Sequence, residues 1–209
     1  SSERAMSSDR PLILAPGPAR WRHKSWGIWF KVCLYLIGFI LLLGAFALPS
    51  AHAKVFHSQV EARELAFPGA DRFEKETFVL SSEQRAEVER ISRSKLESRL
   101  VTLESAWREK TLLGHLHIDV HTVRTQSEGL MVALDSKGTV IIVRVLVFNE
   151  PLDYKPSQRW YDLLVGKNSA DALRVGHDVD AVTGATLTTG ATAGAVRRML
   201  AYYAVLLQG

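Results

Sequence analysis

The chain has one cysteine, Cys33, among 209 residues. A single thiol excludes an intramolecular disulfide framework and any zinc or iron–sulfur site built from this chain's own thiolates. No C-x-x-C-H occurs, so attached c-type haem is excluded, and no nucleophile triad, paired-carboxylate or Walker pattern stands out. An excess of one charge is missing as well. The 26 Lys and Arg against 22 Asp and Glu leave a formal +4. All of that excess lies in residues 1–31, where Arg4, Arg10, Arg20, Arg22, Lys24 and Lys31 face only Glu3 and Asp9. The remainder is balanced and offers no basic face for nucleic acid. With 47% hydrophobic and 23% charged residues the chain is not disordered, collagen-like or of low complexity. No internal repeat is present, and the length suits one to one and a half domains at roughly 150 residues each.

What the sequence does contain begins with an apolar run. Val32 to Leu48 carries no charge over seventeen residues, about 26 Å of helix, or about 34 Å counted from Trp26. Lys31 can snorkel, and Trp21, Trp26 and Trp29 suit a membrane interface. The expectation is a basic cytoplasmic leader at 1–25, a single transmembrane helix at 26–48, and one extracytoplasmic domain at 54–209. That topology puts the chain in the cytoplasmic (inner) membrane of a bacterium, with the lipid bilayer as a partner and the C-terminal domain on the periplasmic side. The absence of thiols beyond residue 33 suits an oxidising compartment. Ala51-His52-Ala53 also fits a signal-peptidase site, and cleavage there would release a free domain. Cys33 reads as a small apolar helix residue or a palmitoylation site.

In residues 54–209 the spacing predicts a helix over Gln59–Phe67 stopped by Pro68-Gly69, then an extended Arg72–Leu80. Ser81-Ser82-Glu83-Gln84 is a capping box opening a surface helix to about Lys95. Strand-like runs follow at Arg99–Trp107, His115–Val123, Leu130–Leu134 and Thr139–Phe148, the last two joined through Asp135-Ser136-Lys137-Gly138 as a hairpin. Ser157–Val165 reads as a short helix and Thr188–Leu207 as a long terminal one. Strands grouped between helices predict an α+β fold with an antiparallel sheet and flanking helices.

One stretch differs in kind: Asp180-Ala181-Val182-Thr183-Gly184-Ala185-Thr186-Leu187-Thr188-Thr189-Gly190. Small residues permit close approach, and four hydroxyls stand immediately before the terminal helix, whose N-terminal amides favour a phosphate. The same residues also read as an ordinary capped helix start, with Thr186 or Thr188 as the cap.

The string Asp-x-x-Thr-Gly-Ala-Thr resembles the flavinylation motif of FMN-binding domain proteins, a family related to the covalent-FMN subunits of the Na+-translocating NADH:quinone oxidoreductase and Rnf complexes. The resemblance extends to Glu64–Ala70, Leu80–Gln84 and Phe148-Asn149-Glu150-Pro151 before Trp160. It implies FMN joined through its phosphate to Thr186 by a flavin transferase, with Asp180, Thr183, Gly184 and Ala185 completing the recognition sequence. Leu187, Thr188 and Glu150 are implied as further flavin-site residues. Asn149 stands where many relatives have His. The resemblance implies an electron-transfer subunit, membrane-anchored through the apolar run, rather than a stand-alone catalyst. Its electrons would pass within or to a membrane redox complex with cytochrome- or quinone-linked partners. The alternative is a flavin-free docking subunit of such a complex.

Other candidates are weaker. His115, His117, Asp119 and His121 alternate along one strand face and could bind metal or haem, but the favoured reading is a solvent-facing strand opposite Leu116, Ile118 and Val120. Arg124, Tyr154 and Trp160 are candidates to border the flavin ring, and Arg197 and Arg198 read as a solvated helix face.

Overall fold

A computed structural model describes residues 30–36 and 54–208. The chain divides into two compact units, residues 1–50 and 51–209. In the first, the described residues 30–36 are helical (α1), and Cys33 among them is exposed. Among the described residues no helix is long and apolar enough to cross a membrane. This overturns the expected transmembrane anchor, and with it the membrane-anchored subunit and the inner-membrane, periplasmic topology. The rest of the 26–48 run, the 1–25 leader and the Ala51-His52-Ala53 site lie outside the described residues.

The second unit runs β1 (Lys54–Val55), α2 (Gln59–Ala66), β2 (Arg72–Val79), α3 (Ser82–Ser92), β3 (Leu100–Arg108), β4 (Thr111–Thr122), β5 (Ser127–Asp135), β6 (Val140–Phe148), a 3-10 turn (Leu152–Tyr154), α4 (Gln158–Asp162) and α5 (Thr186–Tyr202). A π-helical turn, Tyr203–Leu207, extends α5. The strands form one sheet in the order β1-β6-β5-β4-β3-β2, every neighbouring pair antiparallel. The α+β class with an antiparallel sheet and flanking helices is thus as expected.

Local chemistry accounts for the helix starts. Ser58 and Glu61 form one capping box, and Ser81 and Gln84 form the other, each side chain bonded to its partner's main-chain N–H. The sheet is longer than its apolar pattern suggested. β4 starts at Thr111 and is interrupted by Gly114, where a Cβ would run into the Leu134 carbonyl oxygen. Without a side chain there, the alternation that marks His115 onward does not reach the strand's first residues. β1, two residues paired to Val147 and Phe148, gives too short a signal to be foreseen.

Both sheet faces are covered. Ala62, Ala66 and Phe67 from α2 and its C-cap pack over Leu116, Met131, Ala133 and Leu146. On the opposite face Val88 of α3, Tyr161 of α4, and Val196 and Met199 of α5 pack over Leu103, Leu130, Val132 and Val145. Leu130, Val132 and Leu134 alternate with Met131 and Ala133, which is how β5 serves both layers. α3 was expected at the surface, but Val88 and Ser92 are wholly buried, because one helical stripe suffices to seat it beside α5.

The polar face of β4 corrects the solvent-facing expectation. His115, His117, Asp119 and His121 point at α5, and Arg198, expected in solvent, donates two bonds to Asp119 at 2.8 and 2.6 Å. Arg197 is likewise committed, to the main-chain oxygens of Ser92 and Leu173. His121 Nδ1 lies 2.9 Å from Asp119 Oδ1, and its Nε2 lies 3.1 Å from Oε2 of the fully buried Glu128. A neutral imidazole has one N–H, so a ring bonded to two carboxylates is an imidazolium. The Tyr161 hydroxyl donates to the other Glu128 oxygen at 3.3 Å, and the Thr192 hydroxyl reaches Oε2 at 3.5 Å. Two carboxylates and two cations therefore close an electroneutral set between β4, β5 and α5.

The titrations follow from that set. Burial alone would discharge His121, but the Asp119 and Glu128 carboxylates outweigh it and hold the ring up at about 9. Burial opposes the Asp119 charge too, yet His121 and Arg198 keep its carboxyl well below the usual range. His121 therefore stabilises fully below its unfolded value near 6.5, a contribution lost as pH rises through about 9. Asp119 stabilises above 3.8 and loses its contribution as pH falls through its lowered value. His115 and His117, lowered by burial, act in the opposite sense to His121, losing their contribution as pH falls. Denaturant unfolding between about pH 6 and pH 9.5 should show a loss on the order of 3 kcal/mol that a His121→Gln variant lacks. Parallel profiles for the two proteins would mean that the bridge is not charged.

Candidate functional site

The Asp180–Thr186 segment forms the entry to α5. Val182 and Ala185 close a tight turn, the Ala185 N–H donating to the Val182 carbonyl at 3.0 Å, with Gly184 at φ +83° in its third position. That is type II turn geometry, which an L side chain resists. A Cβ on Gly184 would meet nothing within 4 Å, so glycine is there for backbone conformation, with open space beyond. α5 then starts at Thr186 without a side-chain cap, since Ala185 holds the N-cap position. The expected threonine cap is thus absent, and the first-turn amides are left without a side-chain acceptor.

The hydroxyls of the segment separate into two groups. Thr188 is 1% exposed and donates to the Tyr154 carbonyl at 2.6 Å, while Thr189, fully buried, donates to the Thr186 carbonyl at 3.0 Å. Thr183 and Thr186 are exposed, as are Asp180, Gly184 and Leu187, whereas Ala185 is buried. The Thr186 hydroxyl makes only a long 3.4 Å contact to the Val182 carbonyl, which leaves its oxygen lone pairs open to solvent. Of the two exposed hydroxyls, it is the one on the first turn of α5.

A cleft opens there, lined by Arg124, Tyr154, Gly184, Ala185, Thr186, Leu187 and Thr188. Sequence reasoning named Arg124 and Tyr154, and the fold brings both to Thr186, the guanidinium lying 4.5 Å from the tyrosine ring centre. Trp160 has a different place. It is 4% exposed, and its indole N–H donates to the Asp180 carbonyl at 2.7 Å, so it tethers the segment from the core side. Glu150 does not line the cleft. Its Oε1 accepts main-chain N–H groups of Thr125 and Gln126 at 2.7 and 2.8 Å and of Arg124 at 3.3 Å, and these bonds hold its carboxyl below the usual range. Asn149 turns its amide to the Ser127 hydroxyl at 2.8 Å.

A second cleft, lined in part by His117, Asp119, His121, Arg198 and Tyr202, opens over the ionic set. Among the described residues no group of three or more His, Cys, Asp or Glu side chains is placed to hold a metal ion. The histidines are spent on the Ser105 hydroxyl, the Thr102 carbonyl, Asp119 and Glu128. Sequence reasoning missed Glu128 and Thr192 as partners of this set. A single Glu opening an apolar strand carries no sign of what lies across the sheet. For the Asp180 tether, a Trp160→Phe variant keeps the ring packing and removes the donor. It should lose about 1 kcal/mol of stability and exchange the Ala185 amide hydrogen faster. Unchanged exchange would show that the tether does not hold the turn.

A comparison with curated proteins returns no match. Residues 128–201, roughly a third of the chain, match the family described as the FMN-binding domain. The matched stretch runs from Glu128 on β5 to Ala201 on α5 and takes in the whole 180–188 segment and Glu150, while Arg124 lies just outside it. Residues 128–201 of this chain therefore contain an FMN-binding domain.

Proposed function

We propose that the second unit is a redox carrier in which FMN is esterified through its phosphate to the Thr186 hydroxyl. The observation that carries this reading is the Thr186 side chain itself, an exposed hydroxyl at an uncapped helix N-terminus inside the FMN-binding match. The surroundings fit the group. The space beyond Gly184 is open, the α5 terminus favours an anion, and Arg124 brings a cation to the same cleft. When bound, FMN supplies one- and two-electron chemistry, and the protein sets its position and electrostatic surroundings.

Each neighbouring residue then has a definite task. Gly184 gives the turn that turns Thr186 outward, and Ala185 adds no bulk beside it. Thr188, bonded to the Tyr154 carbonyl, fixes the first turn of α5 against the 3-10 turn. Leu187, 57% exposed, offers an apolar surface next to the attachment point. Asp180 and Thr183, both exposed, are available to a flavin transferase as recognition residues. In the attachment step the transferase presents an activated flavin phosphoanhydride. The Thr186 oxygen attacks the flavin-side phosphorus, and the new P–O ester bond forms as the anhydride P–O bond breaks. The phosphate half of the donor leaves with the electron pair, and the hydroxyl proton passes to a base or to solvent. The Asp-x-x-Thr-Gly-Ala-Thr string supports kinship with the FMN subunits of the Na+-translocating NADH:quinone oxidoreductase and Rnf complexes. A protein redox partner follows from a flavin carried at an exposed helix end.

Intact mass of chain matured with a competent transferase should exceed the polypeptide mass by FMN less one water. Peptide mapping should put that excess on the fragment containing Thr186. A Thr186→Ala variant should keep its fold and lose all covalent flavin. Flavin retained on that variant, or mapped to another peptide, would overturn the assignment.

A further inference from the structure

The β4–β5 connection, residues 123–126, is held by an unusual concentration of donors on one acceptor. A single carboxylate oxygen, Glu150 Oε1, takes three consecutive main-chain N–H groups and also lies 3.3 Å from the Thr125 hydroxyl. Glu150 is 7% exposed and sits just past β6, so a rigid sheet end anchors the loop. What the loop presents is Arg124. Its guanidinium is stacked on Tyr154, and the carbonyl of that same tyrosine receives the Thr188 hydroxyl. Arg124 is thereby referenced to the first turn of α5 through one intervening residue. Among the described residues it makes no ion pair and its side chain donates no hydrogen bond, although it lines the Thr186 cleft. Arg63, Arg85, Arg90, Arg144 and Arg198 are paired with carboxylates. Arg93, Arg159 and Arg174 resemble Arg124 in lacking such a partner among the described residues, but only Arg124 lines the Thr186 cleft.

We infer that Arg124 is the phosphate-recognising cation of the flavin site, and that Glu150 positions it. The inference rests on the proposed attachment at Thr186 and adds a specificity to it. The cleft selects a phosphorylated flavin over riboflavin before any ester forms. A guanidinium presents a planar fork of donors that matches phosphate oxygens, and stacking on Tyr154 leaves its edge free for that purpose. Arg124 lies on the β4–β5 loop, four residues before the matched FMN-binding stretch.

Reversible binding to the full-length Thr186→Ala chain tests this, with FMN and riboflavin as the probes. FMN should bind about tenfold more tightly than riboflavin, one charge-assisted contact's worth. Adding Arg124→Gln should erase that difference and leave riboflavin affinity unchanged, while Arg124→Lys should restore part of it. Glu150→Gln should weaken FMN and spare riboflavin, whereas a merely structural role would weaken both. Equal affinity for the two flavins in the Thr186→Ala chain, binding of neither, or a preference that survives Arg124→Gln would each overturn the inference. The Thr186 reading is judged separately, by the mass of the matured wild-type chain.

Discussion

The ionic set beneath α5 is the constraint on which the domain depends. Asp119, His121, Glu128 and Arg198 are each costly to remove from water, and the cost is offset only when all are together with their hydrogen bonds made. Apolar packing alone would let a helix slide or rotate on a sheet for a modest change in contact. A bidentate Arg198–Asp119 pair and a doubly bonded imidazolium do not tolerate such a shift. α5 is therefore committed to one register on β4 and β5. Thr192 lies about 9 Å along the helix from Thr186 and Arg198 about 18 Å, so the same constraint sets where α5 begins.

Three tethers carry that precision to the site. Trp160 holds the Asp180 carbonyl from the core, Thr188 holds the Tyr154 carbonyl from the first turn, and Glu150 holds the loop bearing Arg124. Trp160 and Glu150 do this from outside the cleft, and Thr188 from its lining. Tyr154 and Arg124 line the cleft and Asp180 leads into the segment that does, so each tether fixes the backbone at or beside the cleft from a different segment of the chain. Tyr161 joins the two systems. It follows Trp160 on α4, and its hydroxyl reaches Glu128, so the tether on the motif and the ionic set share one short helix.

Some elements were legible because their cause is local. The Ser81–Gln84 capping box, the Asp135–Gly138 hairpin and the terminal helix depend on residues a few positions apart, and the sequence displays those residues directly. The same holds for the 180–186 segment, where Gly184 and the small residues beside it announce a turn and an open approach. The β4 histidines were not legible in this way. Alternation shows which residues share a face but carries no information about what covers that face, and here α5 covers it with an arginine that looked solvated. The apolar run near the N-terminus is a similar case. Its composition suggested a spanning helix, but hydropathy reports a residue's preference for apolar surroundings, and no spanning helix exists among the described residues.

The sequence by itself determined the class of fold, the antiparallel strand pattern and the segment around Thr186, since each follows from short-range periodicity, turn chemistry or motif spacing. Only the tertiary structure decided which hydroxyl of that segment is exposed, which cation reaches it and what Glu150 does. Those outcomes depend on contacts between residues far apart in the chain. Thr188 meets Tyr154, Arg198 meets Asp119, and Arg124 comes to Thr186 from the β4–β5 loop. Such pairings are settled by the packing of α4 and α5 onto one sheet face, and one-dimensional spacing does not contain that information.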